Sequence, residues 1–301
     1  MKTLLGLLTL LPALAFASPF NIENIAPGVY VHHGEHKDLA EHYGGDICNL
    51  SFIVGSKGVA VIDTGGSPSV GAKLRKEIRK VTQLPILYVI QTHVHPDHAM
   101  GSAAFKQDKP TFVGHSKLAN EMALRKEAYL RNQNVWIDAD AKGTELIPPD
   151  LSVETTHDLD LGDRTLHLTA HPIAHSPSDL SVQDSASKIL WTGDLLFIER
   201  TPSVDGDIAS WLNVIEQLRA EKSPRIVPGH GPVTTKGDVA LDDEKRYLTV
   251  LLSDVRAAIK RGDSMEQTID TAAQSEKGKW VLFDSTNRRN VARVFPVLEW
   301  E

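Results

Sequence analysis

Thr92-His93-Val94-His95-Pro96-Asp97-His98 sets four side chains able to ligate a metal within six residues. In a chain with 13 histidines, this H-x-H-x-D-H spacing is expected by chance on the order of once in 10³ chains of this composition. Residues i and i+2 of an extended backbone point the same way, so His93 and His95 can grip one ion. Pro96 favours a helix start, which swings Asp97 and His98 toward a neighbouring position. One short loop could therefore serve two metals.

Such a cluster needs an element to deliver it, and the apolar run 85–90 reads as a buried strand ending at its mouth. Upstream, 28–32 reads as a first strand, and 50–54 with 58–63 reads as a hairpin turning at Gly55-Ser56-Lys57. Residues 67–81 have helical spacing with a cap near Ser67 or Ser69, which makes a βαβ crossover into the motif strand. Downstream, 110–115 is a short strand, 116–131 a helix capped by Ser116, and 132–150 an excursion loop. Trp136 in that loop either overhangs the site or packs under the loop. Short strands follow at 151–153, 158–161, 165–170, 180–183 and 188–191, then a helix at 209–218 and a last strand at 225–227. Helices at 237–261 and 265–273 close the chain. This order predicts an α/β fold of two mixed β-sheets with helices outside.

Met1-Lys2, the apolar stretch 3–16 and Ala15-Phe16-Ala17 before Ser18 have the three parts of a secretory signal peptide. Residues 1–17 are therefore expected to be removed, leaving 18–301 as one domain, exported to the periplasm. The apolar run is shorter than the ~20 residues of a membrane span, so no stable membrane anchor is expected. A net charge of −7 without a long basic run argues against nucleic acid as a partner. Cys48 is the sole cysteine, so no internal disulfide can form, and its apolar neighbours make it a buried small residue rather than a nucleophile.

Two ions need more ligands than the motif holds. Three later turns offer them: His175 in Ala174-His175-Ser176-Pro177, Asp194 after Ile189-Leu190-Trp191, and His230 in Pro228-Gly229-His230-Gly231-Pro232. The glycines there let the backbone pass close to a neighbour. Asp63 also ends an apolar strand and reads as a group that holds the loop or orients a ligand histidine. His115, His157, His167 and His171 read as structural or exposed, with His171 a rival to His175. His32 ends the first strand, His33, His36 and His42 sit in a polar stretch that is either solvated surface or a lip of the site, and Arg200 and Lys37 are either surface charges or anion binders.

The set Asp63, His93-x-His95-x-Asp97-His98, His175, Asp194 and His230 resembles the metallo-β-lactamase superfamily. The resemblance implies a four-layer αββα sandwich with metals at one edge. It assigns His93, His95 and His175 to one metal, Asp97, His98 and His230 to a second, and Asp194 to a bridge. An aspartate at 194, rather than cysteine or serine, is similar to glyoxalase II and phosphodiesterase relatives more than to true zinc β-lactamases. Gly45-Asp46-Ile47-Cys48-Asn49, the stretch 200–207 and Trp211-Leu212 are similar to the periplasmic quinoprotein relay system zinc metallohydrolases, which implies redox-system partners.

Imidazole and carboxylate without thiolate suit Zn²⁺, two per chain, with Fe or Mn open by ligand type. Two such ions ~3.5–4 Å apart share a water and lower its pKa toward ~7, giving a bridging hydroxide, with Asp97 or Asp194 as catalytic proton carrier. The expected function is an exported dinuclear hydrolase of an ester, thioester or related bond in a small-molecule substrate. The alternatives are a metal-binding accessory or sensor of a periplasmic redox system, and an atypical β-lactamase.

Overall fold

The computed structural model describes residues 20–38, 43–137 and 141–301. The expected signal peptide and His42 lie outside them. Strands β1 (Glu23–Ala26), β2 (Val29–His32), β3 (Leu50–Val54) and β4 (Val59–Ile62) form an antiparallel meander. Helix α1 (Pro68–Val81) then crosses to β5 (Ile86–Gln91), which runs parallel to β4. Ser67 caps α1 by accepting from Val70 N–H, and Pro68 takes the first turn, where its missing N–H has no intrahelical partner to lose.

Helices α2 (Pro96–Ala99) and α3 (Leu118–Trp136) flank β6 (Thr111–His115), and β7 (Leu151–Val153) completes a sheet with the order β1-β2-β3-β4-β5-β6-β7. The second sheet has the order β12-β11-β10-β9-β8. It is built from β8 (Thr156–Asp160), β9 (Thr165–Ala170), β10 (Leu180–Asp184), β11 (Leu190–Phe197) and β12 (Ile226–His230), with α4 (Ile208–Ala220) between the last two. Helices α5 (Gly237–Arg261), α6 (Met265–Thr271) and α7 (Phe283–Leu298) follow.

The layers follow from side-chain alternation along the strands. On β4 and β5, Ala60, Ile62 and Ile90 face Leu166, Leu168, Val182 and Trp191 of the second sheet. Val59, Val61 and Val89 on the opposite face meet Val70, Leu74 and Ile78 of α1. The outer face of the second sheet, including Leu190, Leu195 and Leu196, is covered by α4, α5 and α7 through Trp211, Leu248, Leu251 and Val291. The result is the expected helix–sheet–sheet–helix sandwich, and both sheets are mixed.

Helix α3 overruns its expected end at 131 and reaches Trp136, so Trp136 lies in a last helical turn rather than in a loop. No proline interrupts the chain there until Pro148, and the buried Gln133 amide donates to Gly66 O at 2.6 Å, anchoring the extra turn. Strand β11 runs through Asp194 to Phe197 instead of stopping at 191, and β12 includes His230. Helix α7 was not foreseen: it has no side-chain N-cap and carries Pro296, yet it buries Phe283, Val291, Val294 and Phe295. Strand β1 and a 3-10 turn over Ser102–Asp108 also lacked a sequence signal. Among the described residues no helix is long and apolar enough to cross a membrane.

A buried polar bond joins the two sheets, from Trp191 Nε1–H to Ser51 Oγ at 2.9 Å. Ser51→Ala leaves that indole N–H buried without a partner, so the expected loss is about 1–3 kcal/mol of unfolding free energy in urea denaturation. A change indistinguishable from zero would contradict a structural role for this bond.

Candidate metal centre

The centre lies along one edge of the sandwich, where β4, β5 and β12 end and β11 passes. After β5 the chain stays extended through His93 and His95, whose ring centroids are 4.8 Å apart, and Pro96 opens α2, carrying Asp97 and His98. The Ala174-His175-Ser176 turn is clamped by Asp179, whose carboxylate accepts from Ser176 N–H at 2.8 Å and Ser176 Oγ–H at 2.6 Å. Asp194 lies inside β11 next to Gly193, which has φ +51°. A Cβ at Gly229 on β12 would lie 1.9 Å from Asp194 Oδ1, so only glycine lets β12 pass that carboxylate.

Each of the five imidazoles has its outward nitrogen held by an acceptor. His98 Nδ1 meets Asp63 Oδ2 at 2.7 Å, His175 Nδ1 meets Ser203 O at 2.8 Å, and His230 Nδ1 meets Ile47 O at 2.6 Å. His95 Nε2 lies 3.2 Å from Asp205 Oδ2. Thr92 Oγ1 donates to Asp63 Oδ2 at 2.7 Å, which leaves its lone pairs to accept from His93 Nδ1 at 3.0 Å. These partners fix one ring proton outside in every case and leave the inward nitrogen as the one that could ligate a metal. Asp63 thus holds both the Thr92 turn and the His98 ring; its own φ of +57° places it in the left-handed region.

The inward atoms fall into two groups. His93, His95, His175 and Asp194 make the first, and Asp97, His98 and His230 the second. His95 Nδ1 lies 3.1 Å from His93 Nε2 and 2.9 Å from His175 Nε2. Asp194 Oδ2 faces His175 Nε2 at 3.3 Å, while Asp194 Oδ1 faces His98 Nε2 at 3.1 Å and His230 Nε2 at 3.4 Å. His230 Nε2 also lies 3.3 Å from Asp97 Oδ2. A tetrahedral ion with bonds of ~2.0–2.1 Å needs donors about 3.3 Å apart, so the spacing fits.

Two further observations favour cations there. The buried His98 Nε2 and Asp194 Oδ1 face each other at 3.1 Å and yet have no hydrogen-bond partner among the described residues. Burial pushes the His93 imidazole well below its usual range and His175 down to about 4, so both are neutral lone-pair donors at neutral pH. Burial alone would raise the Asp194 carboxyl, but the His230, His98, His175 and His93 rings hold it well below the ordinary carboxylate range. Against burial, Cys48, Asp194, Asp63 and Asp97 push the His98 imidazole well above its usual range and Asp194 raises His230, so without a metal these two rings hold protons against the carboxylates, and a cation would take their place.

The structure therefore brings His93, His95, Asp97, His98, His175, Asp194 and His230 together. His171 is elsewhere, with Nε2 on Ser181 Oγ at 2.8 Å, and His115 contacts the His171 carbonyl. His32 is tied to Asn21 O and Asp46, His33 to Glu23, and His167 to Asp158. His36 is near the site, 3.5 Å from Glu199, and Lys37 pairs with Glu35. Burial pushes the Cys48 thiol up to about 12, and Cys48 Sγ donates to Asp97 O, which agrees with an unreactive packing residue. Sequence reasoning missed Asp205 as the partner of His95; Arg125 Nη1, at 2.6 Å, and Arg293 hold its carboxylate in turn.

A cavity of about 160 Å³ opens beside the centre. It is lined by His95, Asp97, Asp194 and His230 of the centre, by the apolar and aromatic Ile47, Tyr129, Trp136 and Phe197, and by the polar Arg200, Ser203, Thr286 and Arg289. Trp136, placed by the longer α3, lines the cavity and packs on the cluster of Tyr43, Ile47 and Ile137.

Residues 43–230 match the sequence family described as the metallo-β-lactamase superfamily. Acyl-coenzyme A thioesterase MBLAC2 of Bos taurus is 25% identical over 214 residues, 62% of this chain and 74% of that protein. The linear primary-alkylsulfatase of a Pseudomonas strain is 33% identical over 66 residues, and the chain matches only 12% of its length. Among solved structures, the sec-alkylsulfatase Pisa1 from Pseudomonas sp. has a TM-score of 0.72 at 18% identity, covering 92% of this chain and 50% of that one. A metallo-β-lactamase from Pontibacter korlensis has a TM-score of 0.62 at 21% identity, covering 76% and 98%. At those identities the likeness is one of fold.

Asp205 acts on the centre only through the His95 ring. Asp205→Ala is expected to weaken metal binding by about 10- to 100-fold in a chelator competition. Unchanged affinity would contradict the assignment.

Proposed function

The chain belongs to the metallo-β-lactamase superfamily, and on that footing we propose that it is an exported hydrolase that uses two zinc ions to cleave an ester, thioester or related bond of a small molecule. The observation that carries this reading is the convergence of five inward imidazole nitrogens and two carboxylates on two adjacent positions beside a cavity. Histidine and aspartate without thiolate make a donor set that suits zinc. The thioesterase relative, aligned over most of its own length, supports an acyl substrate.

Bound there, two divalent cations supply Lewis acidity and a water of lowered pKa. The remaining work falls to the chain. His93, His95 and His175 would hold one cation and Asp97, His98 and His230 the other, and Asp194 turns one oxygen toward each group of side chains. Asp194 has both oxygens committed, so Asp97 is the freer of the two carboxylates to take a proton from the attacking water and return it to the leaving group. Tyr129, Trp136 and Phe197 restrict water around the reacting bond.

Export rests on the composition of residues 1–17, and a working association with a periplasmic redox system rests on the resemblance of 45–49 and 200–207 to the quinoprotein relay branch. The test starts from protein recovered from a periplasmic fraction, with its chain beginning near Ser18. It is assayed on thioester, lactone, phosphodiester and β-lactam substrates with and without zinc. Zinc-dependent turnover of an acyl substrate is expected, and His95→Ala should lower it by at least about 10²-fold. Full activity in His95→Ala, or metal binding with no turnover on any substrate, would overturn the hydrolase reading; the second result would favour an accessory role.

A further inference from the structure

Helix α3 brings Tyr129 and Trp136 to the cavity, yet its own seat on the body is thin. Its fully buried residues are Leu118 and Met122 near one end and Gln133 near the other, and Leu124 between them is 73% exposed. A helix is held to a body mainly by a continuous apolar stripe, and over 123–132 no residue is fully buried. Tyr129 packs, partly buried, on the cluster of Val94, Ala99, Leu118 and Met122. The polar bond that leaves this stretch for another element is that of Arg125, whose Nη1 lies 2.6 Å from Asp205 Oδ2. Glu121, one turn earlier, steadies the guanidinium by accepting from its Nε at 3.2 Å.

The same Asp205 oxygen faces His95 Nε2 at 3.2 Å. Asp205 N–H donates to His175 O at 3.1 Å, and Ser203 O, two residues earlier, accepts from His175 Nδ1 at 2.8 Å. From α7, Arg293 Nη2 donates to Asp205 O at 2.7 Å and lies 3.4 Å from Asp205 Oδ1. Residues 203–205 therefore touch two of the three histidines grouped around the first metal position, and Arg125 ties that segment to α3. A metal on the inward Nδ1 of His95 would keep the ring proton on Nε2, directed at Asp205, and a carboxylate fixed by that bond presents its remaining lone pairs to Arg125 in one orientation.

We infer that Arg125 is a positioning residue that couples α3 to the first metal position through Asp205 and His95, so that loading that position and seating the Tyr129 and Trp136 side of the cavity are linked events. Such a coupling is reciprocal. Whatever a metal on His93, His95 and His175 adds to the hold on α3, the seated helix returns as affinity for the metal. A cavity side that is firm only when the metal is in place would keep the empty protein from presenting a finished binding site.

The inference rests on zinc at the centre and not on turnover, so it is read without a substrate. Amide hydrogen exchange over 123–136 is followed by mass spectrometry in the whole chain, metal-free and zinc-loaded, with zinc content measured on the same samples. Zinc should slow exchange in that segment at least about fivefold in the wild type. Arg125→Met, which keeps the apolar stem, should lose most of that slowing at full zinc content and weaken zinc by about three- to tenfold in a chelator competition. Arg125→Lys should fall between the two and reports even if Arg125→Met folds poorly. In an Asp205→Ala background, Arg125→Met should weaken zinc no further, because its route to the His95 ring is gone. Zinc-dependent slowing that is equal in wild type and both Arg125 variants, or absent from a zinc-filled wild type, would overturn the inference and leave the metal centre standing. So would a loss of affinity from Arg125→Met that persists in full without Asp205. A wild type that takes up no zinc would overturn this inference and the metal centre together.

Discussion

The outward hydrogen bonds of the five histidine rings are the constraint on which the site depends. An imidazole presents a lone pair on one side only if its proton is held on the other. Here the holders are Asp63, Thr92, Asp205 and the carbonyls of Ser203 and Ile47, drawn from points far apart in the chain. The fold has to bring these acceptors into place as well as the rings. The inward face is then a cluster of like-polarised atoms about 3 Å apart, an arrangement that needs positive charge to be stable.

Both sheets contribute because neither alone has enough ends at this edge. The first sheet supplies Asp63 after β4 and the histidine motif after β5; the second supplies Asp194 within β11 and His230 at the end of β12. Close approach of the two strands is possible because Gly229 has no side chain to meet Asp194, and Gly193 none to meet Thr92. Trp191, two residues before Gly193, is hydrogen-bonded to Ser51 across the core, so the same strand that carries Asp194 is tied to the opposite sheet. The packing core and the site therefore share an element.

The pair of mixed sheets, the βαβ crossover and the seven side chains that converge at the edge were legible because each has a local signature: alternation, a capped helix, a histidine spacing, or a polar residue in a turn after an apolar run. Asp194 is a partial exception, since the strand that holds it continues past it, and no rule of turns anticipates a ligand inside β11. Helix α7 and the last turn of α3 were hidden because tertiary contacts sustain them: Gln133 bonded to Gly66, and the apolar side of α7 on α5. Asp205, 110 residues from His95, could not be paired with it without the fold.

X-ray diffraction from zinc-loaded crystals, collected on both sides of the zinc absorption edge, tests the centre most directly. Two anomalous peaks are predicted, one enclosed by His93, His95 and His175 and the other by Asp97, His98 and His230, with Asp194 between them. A single peak, no peak, or density away from these side chains would contradict the account.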